Sequence, residues 1–311
     1  MTEAAVAPVE AEVPILEAAA PRPRPWRNPW RKPRFLAGFT WAYLVWSIAP
    51  VAIAVLFSFN AGRSRSAWQG FSWRWYFGDP VLSVWHDPSL HSALFQTLRL
   101  ATLTTLIAVP LGVAFAIGID RWRGRLPAVF NFQMLLSFVL PELIIGVTLL
   151  FVISDLFKFI PLGTGAQLLG LITFQMSYPA IIVRARLLTI GKEYEEAAQD
   201  LGASPMQSMR RVLLPLLYPA IFASAVLVFA DVIDDFVIVR YLSSDASTEP
   251  MAVKIFNSAR SAPTPALNAL ASIMLGASLL AVLLGYFVYR RMTRGERGEG
   301  VSAMSDIAVQ I

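Results

Sequence analysis

Six apolar runs, each long enough to cross a bilayer, decide what this chain can become. Residues 35–59, 100–119, 161–183 and 265–289 hold no charged side chain, and residues 126–154 hold only Glu142. The remaining run, 216–241, is apolar until Asp231. A hydrocarbon core of about 30 Å takes ~20 helical residues. Lipid offers no partner to a free N–H or C=O, so such runs fold as helices. A chain of 311 residues that is 56% hydrophobic and 15% charged carries too much apolar surface for a soluble globule. The expected fold class is all-α: a polytopic helical membrane protein with six transmembrane helices. Pro50, Pro110, Pro141 and Pro179 lie within the runs, where neighbouring helices or water can take up the freed carbonyls.

Basic residues orient the spans. They gather in the N-terminal stretch (Arg22, Arg24, Arg27, Arg31, Lys32, Arg34), after the second run (Arg121, Arg123, Arg125), between the fourth and fifth (Arg184, Arg186, Lys192, Arg210, Arg211), and in the tail (Arg290, Arg291, Arg294, Arg297). With six spans all four groups share one side, which predicts a multi-pass protein of the cell (inner) membrane with both termini cytoplasmic. The net charge of +5 then reflects topology, and nucleic acid is not expected as a partner. The domain plan that follows is a disordered basic, proline-rich arm over 1–34, a membrane domain over 35–291 and a cytoplasmic tail over 292–311. The arm suits anionic headgroups of the membrane lipid, or a protein partner. It lacks the apolar core of a cleavable signal.

Chemistry of the catalytic kind is missing. The sequence has no cysteine, no Gly-x-x-x-x-Gly-Lys-Ser/Thr loop and no nucleophile elbow. His86 and His91 stand without clustered carboxylates, so a loop or interfacial role is expected for them and no metal site. Any ATP and Mg would be bound by another polypeptide, and this chain would be no enzyme.

Residues 190–216, between the fourth and fifth runs, read as a docking element. Residues 193–200 are good helix formers, and Gly202 sits where a left-handed stop costs least. Ser204 offers an N-cap, Pro205 a first helical position, and Gln207 completes a capping box. Pro215 and Pro219 are expected to end this second helix before the next span. Two capped helices around a glycine make a stiff knuckle.

Charges inside the spans are costly and mark pathways or partners. Asp231, Asp234 and Asp235 have the i, i+3, i+4 spacing of one helical face. On straight helices Asp231 lies roughly 22 Å from Leu216 and Glu142 roughly 24 Å from Leu126, at similar depth. Asn268 enters the sixth span from the outer side. A cationic or amine-bearing solute complements these acids, aided by the aromatic faces of Phe138, Phe174 or Tyr178. Two other readings stay open: packing pairs with Arg99 and Arg240, and simple solvation of Asp234 and Asp235 near a helix end.

The knuckle resembles the signature of permease subunits of binding-protein-dependent ABC importers. Glu196, Ala197 and Ala198, then Gly202, then Leu214 and Pro215 fall at its spacing, with Val212 in place of its isoleucine. Pro141-Glu142, Asp234-Asp235-Phe236, the stretch from Pro250 to Phe256 and that from Thr264 to Leu270 resemble segments of the spermidine/putrescine branch. The resemblance implies a type I, MetI-like fold and a coupling helix at Glu196–Pro215 that docks on a separate ATPase. It also implies a homologous permease as companion, an ATPase dimer below, and an extracytoplasmic solute-binding protein above. A polyamine is the implied solute. Arg99 and Asp231 depart from the branch pattern and leave room for another amine or a zwitterion. An ion-gradient carrier using the acids as proton or sodium sites is the rival class.

Overall fold

A computed structural model describes residues 34–64, 67–122, 124–261 and 264–292. The expectations for the arm, up to residue 33, and for the tail beyond Met292 lie outside the described residues. The described residues are helical, with a lone β-bridge between Asn60 and Phe71. The chain divides into two units, Met1–Pro50 and Val51–Ile311. The described part of the first is the leading portion of α1 (Arg34–Ser58).

The second unit is built on α2 (Pro88–Arg121), which packs against α5 (Thr164–Gln175), α6 (Ser177–Ile190), α9 (Leu214–Asp234) and α11 (Met251–Ser261). In turn, α9 packs on α6 and on α12 (Pro265–Met292). Asp87 starts α2 by accepting the amides of Ser89 and Leu90, and Pro88 fills its first position. Small residues then recur about one turn apart along a buried seam: Ala101, Thr104, Ala108, Gly112 and Ala116. Without a hydrophobic drive between helices in lipid, such seams supply the close van der Waals packing that holds a bundle. At Gly112 the approach is closest. An added Cβ would stand 2.5 Å from Pro179 Cγ and 2.6 Å from the Met176 carbonyl oxygen.

Among the described residues five helices have the length and hydropathy of a span: Phe35–Ser58, Pro88–Arg121, Thr164–Ile190, Pro205–Asp234 and Pro265–Arg291. The expected third span is different. It is split into α3 (Leu126–Val139) and α4 (Glu142–Phe151), which continues through a wide π turn at Val152–Leu156; the two pieces bend by 105°. Pro141 removes a donor and biases Leu140 away from helix, and both residues are extended (ψ 136° and 128°). The depth given to Glu142 by counting along a straight helix therefore does not hold.

The fifth span also departs from expectation at both ends. No break occurs at Pro215 or Pro219. From α8 (Pro205–Ser208) the helix runs through a π turn at Met209–Leu213, where the Leu214 amide bonds to the Met209 carbonyl, and on to Asp234. The wider turn accommodates the missing N–H of Pro215 without ending the helix. At its far end the helix stops at Asp234; Asp235 is extended (ψ 125°), and a short α10 (Val237–Leu242) follows. Asp235 thus leaves the helical face expected to carry all three aspartates.

The broken pieces pack on one another. Gly146 of α4 faces Tyr241 and Val237 of α10, and Gly170 of α5 leaves room for Leu242 and Ile238. A buried amide network fastens the same region: Gln96 donates to Thr164 Oγ1 and Gln167 Oε1 (both 2.8 Å), and Gln167 donates to Ser243 Oγ and the Thr248 carbonyl (both 2.9 Å).

Between α1 and α2 the chain forms an aromatic cap. Trp75, fully buried, donates to the Asn60 carbonyl at 2.6 Å, and Tyr76 shares a hydrogen bond with Ser58. Asp79 accepts the amides of Leu82 and Val81 and a bridge from Arg74, which together hold its carboxyl at about 2, below the ordinary 3.8. Here His86 bonds Ser83, and His91 packs on Trp85 and Phe95.

Two outcomes follow from these contacts. Gly112→Ala forces α2 away from α6 and costs about 1–3 kcal/mol, read as a lower thermal midpoint in detergent. Asp79 stabilises the fold above its unfolded pKa of 3.8 and loses that contribution as pH falls toward about 2. Below about pH 4 the thermal midpoint of the wild type should therefore fall more steeply than that of Asp79→Asn.

Candidate functional site: a carboxyl cluster at two helix breaks and a capped knuckle

Both helix breaks deliver a carboxylate to one place. Pro141 ends the extended link and Glu142 opens α4; across from it Asp235 ends α9, and its Oδ1 accepts the Val239 amide (3.2 Å) in the first turn of α10. Each acid therefore sits at the amino end of a short helix, the end that favours negative charge. The two carboxyl groups are close enough to interact directly, and Asp231 contributes to the same electrostatic field. Asp235 is buried, while Asp231 and Asp234 are exposed on the chain's surface. Gln175 donates from Nε2 to Asp231 Oδ2 at 2.7 Å.

Aromatic rings stand on one side of the cluster. Tyr178 lies within the field of Asp231, Glu142 and Asp235, and both Phe138 and Phe174 meet it edge to face, with centroids at 5.5 and 5.9 Å. Carboxylates beside ring faces suit a cation. A cavity of about 190 Å³ adjoins this zone, lined in part by Gln133, Ser137, Thr173 and Ser177. On the side of Leu143 and Phe236 a second, of about 500 Å³, reaches Arg240, Tyr241 and Phe256.

The packing-pair alternative gains no support. Among the described residues neither Arg99 nor Arg240 forms an ion pair with these acids; the bridges are Arg74–Asp79, Arg121–Asp120 and Arg121–Glu195. Asn268, half-buried near the start of α12, makes no hydrogen bond to the cluster among the described residues. Sequence reading missed Gln175. Its signal was an amide, one of two with Gln167, in a run without charged side chains.

At the basic end of the bundle the knuckle takes the expected form. α7 (Glu193–Asp200) ends at Leu201, Gly202 adopts φ 89°, and Ser204 caps α8 with a complete capping box to Gln207. Arg121, at the end of α2, bridges Glu195, and Ser208 Oγ donates to the Glu195 carbonyl at 3.2 Å. These bonds tie α7 to both the bundle and the helix that becomes α9. Glu196, Ala197, Gly202, Ser204 and Pro215 are exposed, whereas Ala198 and Leu214 are half-buried. Three apolar side chains that sequence reading passed over also stand in the open here: Leu201 at 91%, Met206 at 65% and Tyr194 at 57% exposure. The groove beneath them, about 470 Å³, is lined by Ile117, Arg121, Glu195, Gln199 and Met209 among others.

A multi-helix apolar bundle with interrupted spans, acids at the interruptions and a stiff polar elbow at one end defines a membrane permease subunit. The chain belongs to the family described as binding-protein-dependent transport system inner membrane component, whose model matches residues 108–297. It is 34% identical over 277 residues to the putrescine transport system permease protein PotI of Escherichia coli K12, covering 87% of this chain and 93% of that one. It is 31% identical over 244 residues to the spermidine/putrescine transport system permease protein PotC of Haemophilus influenzae, covering 78% and 91%. Among solved structures, a bacterial ABC transporter involved in the import of the acidic polysaccharide alginate aligns with TM-score 0.66 at 15% identity, covering 84% of this chain and 96% of that one. A methionine ABC transporter, MetNI, aligns with TM-score 0.54 at 19% identity, covering 65% and 95%. The MetI-like fold is thereby established, and the chain is a multi-pass inner-membrane permease, a transporter subunit and not an enzyme. Permeases of this family work with a binding protein and an ATPase, so the rival reading as a self-sufficient ion-gradient carrier falls away.

Proposed function

We propose that this chain forms half of the translocation path of an ATP-driven polyamine importer, with putrescine or spermidine as solute. One observation carries the reading: Glu142 and Asp235 converge with Asp231 beside Tyr178, at breaks in two helices, with no arginine partner among the described residues. A polyamine is a chain of cations joined by methylenes, and this site offers carboxylates beside aromatic faces. The putrescine and spermidine/putrescine permeases among its relatives support the same solute. Asp231 and Asp234 face outward from this chain, where a homologous companion permease would complete the path. A zwitterionic solute finds less support, since Arg99 takes no part in the cluster.

Both termini and the knuckle lie on the cytoplasmic side in this reading, and a solute-binding protein docks on the opposite side. An ATPase dimer, which binds ATP and Mg, receives α7 and α8 in a cleft. Glu196, Ala197, Ala198, Gly202 and Ser204 shape that contact, and Leu201, Met206 and Tyr194 supply apolar anchors. The helix from Pro205 to Asp234 has the knuckle at one end and the acids at the other, so motion imposed on α8 reaches Asp231 and Asp234 without crossing a flexible joint. Leu214 and Pro215 sit just beyond the π turn in that lever.

Asp235→Asn should depress putrescine uptake by the reconstituted importer at least about tenfold; undiminished uptake would remove the solute assignment. Gly202→Pro imposes φ near −65° where the chain needs 89°. Together with Ala198→Trp, it should abolish binding-protein-stimulated ATP hydrolysis while leaving the chain in the membrane. Coupling that survives both changes refutes the role given to the knuckle.

A further inference from the structure

We infer that Gln175 completes a subsite for a primary ammonium group, with its carboxamide oxygen as the discriminating acceptor; this rests on the polyamine reading above. Gln175 is fully buried at the end of α5. Its amide orientation is set by chemistry: Asp231 can only accept when ionised, so Nε2 faces Asp231 Oδ2, at 2.7 Å, and Oε1 turns away. That oxygen is buried and has no protein donor.

A buried acceptor without a donor is an exception that calls for a reason. The neighbours supply one. Tyr178 lies three residues on, along an almost continuous helix, and therefore on the same face as Gln175. Asp231 bonds Gln175 and shares its field with Tyr178. Beside Gln175 the molecule thus holds a carboxylate and, on the same helix face, an aromatic ring, while Oε1 lacks a donor.

A primary ammonium has three N–H groups and a full positive charge. One N–H goes to Asp231, one to Gln175 Oε1, and the charge lies against the Tyr178 ring. A quaternary ammonium carries the charge with no N–H and leaves the oxygen unserved. The subsite is closed over in this conformation, so solute reaches it when the path opens, and the gain of a donor for Oε1 favours that opened, loaded state. Gln175 then does more than hold Asp231 in place: it selects N–H donors over bulkier cations of equal charge.

The test uses the complete importer in proteoliposomes, at saturating solute-binding protein so that docking is not limiting. The variants are Gln175→Met, which keeps volume but removes the acceptor, and Gln175→Glu, which keeps an acceptor but removes the donor to Asp231. Putrescine uptake should fall about tenfold or more for Gln175→Met, as expected for loss of one charge-assisted bond, while Gln175→Glu retains about a third or more of the wild-type rate. Equal losses in both variants would assign Gln175 to positioning Asp231 alone and overturn the subsite, as would unimpaired uptake by Gln175→Met. If Gln175→Met fails to co-purify with its partners, the Glu variant decides: assembled but inactive, it overturns the subsite; assembled and active, it supports it. A wild type that moves no polyamine removes the solute reading and this subsite with it, whereas a competent wild type with a competent Gln175→Met removes the subsite only.

Discussion

Lipid cannot satisfy a backbone amide or carbonyl, and the arrangement of this molecule follows from how it meets that demand at two broken helices. A span interrupted at Leu140–Pro141 and another at Asp235 would each leave polar backbone in hydrocarbon if the breaks faced the membrane. The chain turns them toward each other instead. Glycines at 146 and 170 let α10 nest between α4 and α5, and Asp235 takes up the Val239 amide that the break would otherwise leave open. At the packed side of these breaks carboxylates can stand with amide dipoles behind them. The substrate zone is therefore a by-product of solving a backbone problem, and it is held by the same contacts.

The seam on α2 belongs to the same logic. Small side chains from Ala101 to Ala116 allow α6 and α9 to come close, and these are the helices that carry Tyr178 and the aspartates. At the other end, Arg121 closes α2 with a bridge to Glu195 of the knuckle. One helix thus packs on the elements that carry the acidic zone and bridges to the docking elbow. A displaced knuckle has two ways to reach the path: directly, along the helix that ends at Asp234, and laterally, through α2.

Much of this was legible in the residues. Apolar runs without charge gave the spans, because lipid leaves few alternatives; the spacing of Glu196, Gly202, Ser204 and Gln207 gave the capped knuckle, because capping is local chemistry. Breaks were harder. Pro141 signalled one, yet Pro110, Pro179 and Pro215 lie in helices that continue, so proline alone does not say where a span opens; the packing around it decides. Asp235 was assigned to a helical face by spacing, and the face vanished because the helix ended one residue earlier. Gln175 and the Arg121–Glu195 tether were invisible for a related reason: each depends on a partner more than fifty residues away in sequence.

The absence of an arginine ion pair to these acids, among the described residues, bears on how such a site can work. A carboxylate already paired with a cation would have to surrender that partner to admit a solute, and the exchange would cancel much of the attraction. Asp234 is instead left open, Asp231 takes only the Gln175 amide, and Asp235 is matched with a backbone amide and a second acid. A cation entering this zone is attracted without displacing a basic side chain, and the helix breaks that flank it can shift without breaking a salt bridge. A transporter must release what it binds. Weak, shared and unpaired carboxylates at movable joints answer both needs, where a rigid ion-pair network would answer only the first.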